Sequence, residues 1–396
     1  MTSRDWSFGV DFSFPVVFTR DAFATDNATL ADLMAPAADV PIARAVVFVD
    51  TAVLAARPGL VRDIHAWFAA HAGRRIALAA APEPISGGEA AKQGLAVVER
   101  VARVGVDLGL CRHSYVLIIG GGAVLDAVGL GASLLHRGLR QIRLPSTTLG
   151  QCDAGLGVKN AVNLFGLKNL IGTFTPPWAV VDDSRFLESQ DDRAWRAGLA
   201  EAVKVAVIKD AAFLSRIETL VPALARRDLP AMEEVVERCA RLHLEHITTS
   251  GDPFEHGSSR PLDFGHWSAH RLEALSQHRL QHGEAVAIGV ALDALYAARI
   301  ARLSTPEAER IVAILSGLGF RLWDATFELR DADDHRQVYA GLTQFREHLG
   351  GRLTLAMPAG LGARSDISEF DESICESALT DLRRLARHRS QPSRRM

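Results

Sequence analysis

The chain has 396 residues, 48% hydrophobic and 23% charged, with a formal net charge of -3. This is a globular profile, too long for one ordinary core, and it predicts two domains. It offers no basic footprint for nucleic acid and no apolar run of the ~18 residues that a membrane span needs. Cys111, Cys152, Cys239 and Cys375 form no C-x-x-C pair and read as reduced thiols of a cytoplasmic protein. The N-terminal stretch lacks the continuous apolar run of a signal peptide. The arginines after Leu382 read as a solvated terminus.

In chain order, β-like apolar runs fall at Ala45–Val49, Arg75–Leu78, Tyr115–Ile119 and Gln141–Pro145. Amphipathic stretches such as Glu89–Val104 lie between them. Continuous apolar strands alternating with helices predict a parallel sheet covered on both faces. From Asp191 to about Leu315 helical periodicity takes over. The expected organisation is a nucleotide-binding α/β domain over 1–183 and a mainly α-helical domain over 184–396.

Gly120-Gly121-Gly122 closes a strand and Asp126 lies one turn into the helix that follows. Glycines let backbone approach a pyrophosphate, and a helix N-terminus offers free N–H groups. A glycine triplet is also a common tight turn, and this one lacks G-x-G-x-x-G spacing. Its context adds weight. Asp50 ends an earlier strand, where an acid accepts from a ribose. Glu89 and Lys92 follow Ser86-Gly87-Gly88, and Thr147 and Thr148 follow the fourth strand, although hydroxyls there also serve as caps. Asp153, Lys159, Lys168 and Asn169 lie in a glycine-rich block suited to a phosphate, or to a solvated loop.

Farther on, Glu201 and Lys204 share a helix face. His266, His270 and Glu273 recur at i, i+4, i+7, and His282 opens the next apolar helical run. Two histidines and a carboxylate are a common catalytic metal set that leaves a position open. Spacing nominates His266 with His270 and does not rank His282 against His270. His243 and His246 have no glycine context and read as surface residues.

The order of these blocks resembles the sugar phosphate cyclase superfamily, whose best-known member is 3-dehydroquinate synthase. The segments are VDTAV, GGEAAK, GGGAVLD, LPSTTLGQCDAGLGVKNAVN, GLKNLIGTF, GLAEAVKVAVIKD, LDFGHWSAH and HGEAVAIG, from about Val47 to about Pro358. The resemblance implies a Rossmann-like NAD domain and a helical metal domain. It implies Zn²⁺ or Co²⁺ held by Glu201, His266 and His282, with His270 on the substrate. It places Asp153, Lys159, Lys204 and Asn169 around the substrate and Lys168 with the cofactor. Arg137 looks like the arginine that this family supplies to a neighbouring subunit's phosphate, which implies a homodimer.

The sequence departs from dehydroquinate synthases in reading Leu262-Asp263-Phe-Gly-His266 where they read L-N-x-G-H. It has no lysine after Lys209, and Arg260 is the cation left near the family's carboxylate-binding positions. An acid in place of a cation repels a substrate carboxylate and suits a hydroxyl. The expected activity is therefore NAD- and metal-dependent cyclisation of a ketose phosphate resembling sedoheptulose 7-phosphate, as in 2-epi-5-epi-valiolone synthases. The alternatives are a 3-dehydroquinate synthase with an altered carboxylate grip and a metal-dependent polyol or glycerol dehydrogenase.

Overall fold

The computed structural model describes residues 5–36, 40–249, 254, 261–348, 351 and 353–389. The chain forms two compact units: Met1–Pro145 with Gly157–Asp183, and Ser146–Leu156 with Ser184–Met396.

The first unit contains β1 (Val16–Thr19), α1 (Thr29–Leu33), β2 (Ala43–Asp50), α2 (Thr51–Ala56), α3 (Leu60–Ala70), β3 (Ile76–Leu78) and β4 (Glu83–Ile85). It continues with α4 (Ala96–Asp107), β5 (Tyr115–Gly120), α5 (Gly122–Leu134), β6 (Arg140–Pro145), the hairpin β7 (Lys159–Leu164) and β8 (Leu167–Phe174), and β9 (Ala179–Asp183). The main sheet runs β1-β9-β6-β5-β2, with β3 and β4 both beside β2, and every pair is parallel. Val46, Phe48, Val116 and Ile118 pack with Val124, Leu125 and Val128 of α5 and Val101 of α4. Burying each such side chain contributes about 1.5–3 kcal/mol. From β2 the chain adds β3 and β4 on one side, then crosses back to β5 and continues away to β6 and β9. The direction therefore reverses between β2 and β5, and open α/β sheets bind ligands at the carboxyl ends of such strands.

The helix expected over Glu89–Val104 is two pieces, a 3₁₀ turn at Glu89–Lys92 and α4, broken at Gly94 with φ +70°. The glycine-rich block after Asp153 is likewise no loop, because most of it forms the β7–β8 hairpin.

The second unit is helical: α6 (Asp192–Lys209), α7 (Ala211–Ala225), α8 (Leu229–Thr249), α9 (His266–Leu275), α10 (His282–Arg299), α11 (Thr305–Gly317), α12 (Ala340–His348) and α13 (Glu372–Arg389). A ribbon of β10 (Leu355–Pro358) and β11 (Arg364–Ile367) completes it. Helix α10 is buried on all sides from Ala285 to Tyr296 and packs on α6, α9, α11 and α13. An all-round apolar helix is a central one, which explains its lack of a polar face. Among the described residues no helix is long and apolar enough to cross a membrane.

Candidate active site

In the second unit, three side chains from three helices converge. Glu201 comes from the middle of α6, His266 opens α9 and His282 opens α10. Their donor atoms all lie within 4.8 Å of one another. Glycines set this convergence. A Cβ on Gly283 would stand 2.5 Å from the Ala197 carbonyl, so only glycine lets the start of α10 press onto α6, one turn before Glu201. Gly265, just before His266, has φ +80°, and a Cβ there would meet the Val290 backbone at 2.6 Å.

Both rings are aimed. His282 Nδ1 lies 3.0 Å from Glu273 Oε1, and His266 Nδ1 lies 3.2 Å from the Phe264 carbonyl oxygen. Those oxygens accept, so each Nδ1 carries a proton and each Nε2 is turned toward Glu201, where a metal ion would take the place of any second proton. The two Nε2 atoms face Glu201 Oε1, at 3.4 Å for His282 and 3.7 Å for His266. A tetrahedral ion about 2.1 Å from each donor would separate them by about 3.4 Å. Glu201 is 1% exposed and neither oxygen accepts a hydrogen bond of normal geometry, although Lys204 is in ion-pair contact with Oε2. A buried, under-satisfied carboxylate between two Nε2 donors fits a divalent cation.

Lys204 is as buried as Glu201. Burial alone would lower its pKa, but Glu201, Asp153 and Asp263 reverse that and hold it above the ordinary lysine value. Asp153 sits on a π-helical turn, Gly150–Ala154, of the kind that recurs at functional sites. Asp263 ends a 3₁₀ turn ahead of His266. His270 is exposed on α9, its ring 5.3 Å from that of His266 and 6.0 Å from that of His282. With Glu273 and His282 it forms a second potential ligand group, but there Glu273 is already bonded to His282 Nδ1.

The first unit carries the nucleotide candidates. Asp50 ends β2 beside the end of β5, and its carboxylate accepts from the backbone N–H groups of Ala52 and Gly121. Burial raises its pKa against those bonds. A Cβ on Gly87 would fall 2.3 Å from the Asp50 oxygens, so only glycine lets the backbone there lie against this carboxylate. Gly121 precedes Gly122, the first residue of α5, and no side chain caps that helix. Its open first turn beside a glycine-kept crevice fits a pyrophosphate. Lys92 Nζ donates to Asp126 Oδ2 and to Asn169 Oδ1, both at 2.6 Å. Asn163 continues the network, accepting from Asn169 N and donating to Glu89. Asn169, expected on the substrate, is thus tied to Lys92, while Lys168 and Lys159 are exposed on the hairpin.

Family models for the N-terminal and C-terminal parts of 3-dehydroquinate synthase match residues 82–197 and 198–338. The 2-epi-5-epi-valiolone synthase of Streptomyces glaucescens is 36% identical over 297 residues, 74% of this chain and 74% of that protein. The chain belongs to the 3-dehydroquinate synthase family of sugar phosphate cyclases. The 3-dehydroquinate synthase of Ruegeria pomeroyi, another relative of this cyclase, is 33% identical over 298 residues, 74% of this chain and 79% of that one. A solved structure, ValA (2-epi-5-epi-valiolone synthase) from Streptomyces hygroscopicus subsp. jinggangensis 5008 with NAD⁺ and Zn²⁺ bound, superposes with a TM-score of 0.83 at 28% identity. It covers 96% of this chain and 99% of its own.

Some expectations need correcting in this cyclase. Thr148 is fully buried in the second unit, its hydroxyl donating to the Ala194 carbonyl and accepting from Gly198 N, so that hydroxyl is engaged in packing against α6. Thr147 Oγ1 accepts from Gly150 N as a turn cap. His243 is not a surface residue: it is 8% exposed, with Nδ1 3.3 Å from Asp153 Oδ1. The signal was its place on the buried stripe Met232, Val236, Cys239, His243 of α8. Arg260 lies outside the described residues.

Proposed function

We propose that the protein cyclises a ketose phosphate without a carboxylate, of the sedoheptulose 7-phosphate type, to a cyclitol ketone with loss of phosphate. The observation that carries this reading is the charge around Lys204. Glu201, Asp153 and Asp263 all act on this one buried ammonium. A substrate carboxylate placed there would meet like charge, whereas hydroxyls would find acceptors. The relatives named above include enzymes of the valiolone type, which supports the same choice.

Glu201, His266 and His282 would hold Zn²⁺ or Co²⁺, and NAD would lie over Asp50, Gly87, Gly121 and the first turn of α5. When bound, NAD accepts and returns a hydride while the metal polarises the reacting hydroxyl. Lys204 and Lys159 stabilise the negative charge that develops on enolate and alkoxide oxygens. Asp153, Asp263 and His270 orient substrate hydroxyls, and the substrate's own phosphate takes the proton as it leaves. Oxidation and reduction cancel within one turnover, so phosphate release without net NADH is the signature.

Arg137 lies just before β6, with Cys111, Arg112, His113 and His136 around a cavity of about 330 Å³. This is the amino-terminal edge of the sheet, opposite Asp50 and Gly121. In this reading Arg137 would reach a phosphate held by another subunit, and the protein would be a homodimer. Strand β8 suits self-association, since Leu167, Leu170, Ile171 and Phe174 are exposed along it. We place this enzyme in the cytoplasm.

The test is to incubate the purified protein with NAD⁺, Co²⁺ and either sedoheptulose 7-phosphate or the heptulosonate phosphate. Phosphate release from the first, with flat NADH absorbance, is expected. Release from the heptulosonate alone would make it a dehydroquinate synthase, and NADH accumulation would make it a dehydrogenase.

A further inference from the structure

Asp293 lies on α10, three turns beyond His282, and is 1% exposed among apolar neighbours. Burying a carboxylate costs several kcal/mol unless it is fully hydrogen-bonded. Here Oδ1 accepts from Trp267 Nε1 at 2.9 Å and Oδ2 accepts from Gly265 N at 3.1 Å. These donors belong to the residues on either side of His266. The indole is itself fixed, stacked on Tyr339 with centroids 6.4 Å apart and edge-on to Phe370 at 5.1 Å. A single carboxylate on α10 therefore grips both flanks of the histidine that opens α9.

The arrangement is reciprocal. Helix α9 supplies His266 and, through Glu273, braces His282 of α10. Helix α10 supplies His282 and, through Asp293, braces the backbone that carries His266. An apolar residue would fill position 293 without the cost of burying a charge, and only an acceptor can tie the two donors together.

We propose that Asp293 is a positioning residue that holds His266 Nε2 on Glu201 and so sets metal affinity from the far side of α10. This rests on reading Glu201, His266 and His282 as the metal ligands.

The test titrates the metal-free full-length protein with Co²⁺ alone, read by calorimetry and by the visible spectrum of bound cobalt, with no substrate present. Asp293→Ala should bind Co²⁺ at least about ten-fold more weakly, with an altered spectrum. Trp267→Phe, which removes one of the two bonds, should show a smaller loss in the same direction. Leu292→Ala, a cavity in the same turn of α10, should lower Tm while leaving affinity and spectrum unchanged. Should Asp293→Ala not fold, Asp293→Asn takes its place: it keeps the shape but turns an amide donor toward one of the two N–H groups. Wild-type affinity and spectrum in the Asp293 and Trp267 variants would overturn the proposal, as would an equal affinity loss in Leu292→Ala. If the wild type binds no Co²⁺, or His282→Ala binds it normally, the ligand reading falls and the proposal with it.

Discussion

The two candidate sites are built from different material. In the first unit the crevice at the ends of β2 and β5 is mostly backbone: glycines that stay out of the way, and an uncapped helix end. In the second unit the cluster is all side chains from three helices, with His282 braced by Glu273 of α9 and His266 by the Phe264 carbonyl just ahead of it. A backbone site is broken by adding atoms, and a side-chain site by removing them.

The largest expected effect follows from removal. His282→Ala should weaken Co²⁺ binding by roughly a thousand-fold and abolish turnover, with NAD⁺ affinity intact. Calorimetry with each ligand separately checks this, and joint loss of both would break the contrast. Glu273→Ala leaves the ligands in place but frees the His282 ring, so Co²⁺ affinity should fall about 10–100-fold. The counterpart by addition is Gly87→Ala. Its methyl would overlap the Asp50 carboxylate, so NAD⁺ affinity should drop by about ten-fold with Co²⁺ binding unchanged.

A pH dependence sharpens the same point. Burial works against charge on His282, but the carboxylates of Glu201 and Glu273 overcome it and push its pKa up to about 10. Below that pH an incoming ion must displace a proton. Co²⁺ affinity should therefore rise roughly ten-fold per pH unit between about pH 7 and 9, with about one proton released per ion. Calorimetry in buffers of different ionisation enthalpy measures that proton, and a flat pH profile would show that His282 is already neutral. The smallest effect expected is that of Thr148→Val: about 1–2 kcal/mol of stability lost in a denaturant titration, and no change in NAD⁺ affinity.

The sequence makes one of these regions easier to read than the other. Strands that end in Asp50 and in Gly120 are visible as apolar runs with punctuation, because a buried parallel strand must be apolar throughout. Glu201, His266, His270 and His282 are visible as polar residues on helical stretches, but spacing does not choose between His270 and His282, and only the family resemblance names the set. What joins them does not stand out. Gly283 against Ala197 and Asp293 against Trp267 are contacts between helices far apart in sequence, and no local period encodes them. Thr148 illustrates the opposite difficulty, since a hydroxyl after a strand is locally the same whether it meets a ligand or, as this one does, the backbone of α6. His243 reads as a surface residue for want of glycines around it, whereas the apolar period of α8 buries it.

Ser146–Leu156 belongs to the second unit, although the chain returns to the first unit for β7, β8 and β9 before crossing for good at Ser184. The polypeptide thus passes between the units three times. A chain cut at Asp183 would take away from the helical unit the π turn with Asp153, and also the Thr148 backbone against which Gly198 is packed. Each half then needs atoms encoded in the other half's stretch of gene. Exchanging the two units between members of this family therefore takes three splice points, one on each side of this eleven-residue insert and one after Asp183.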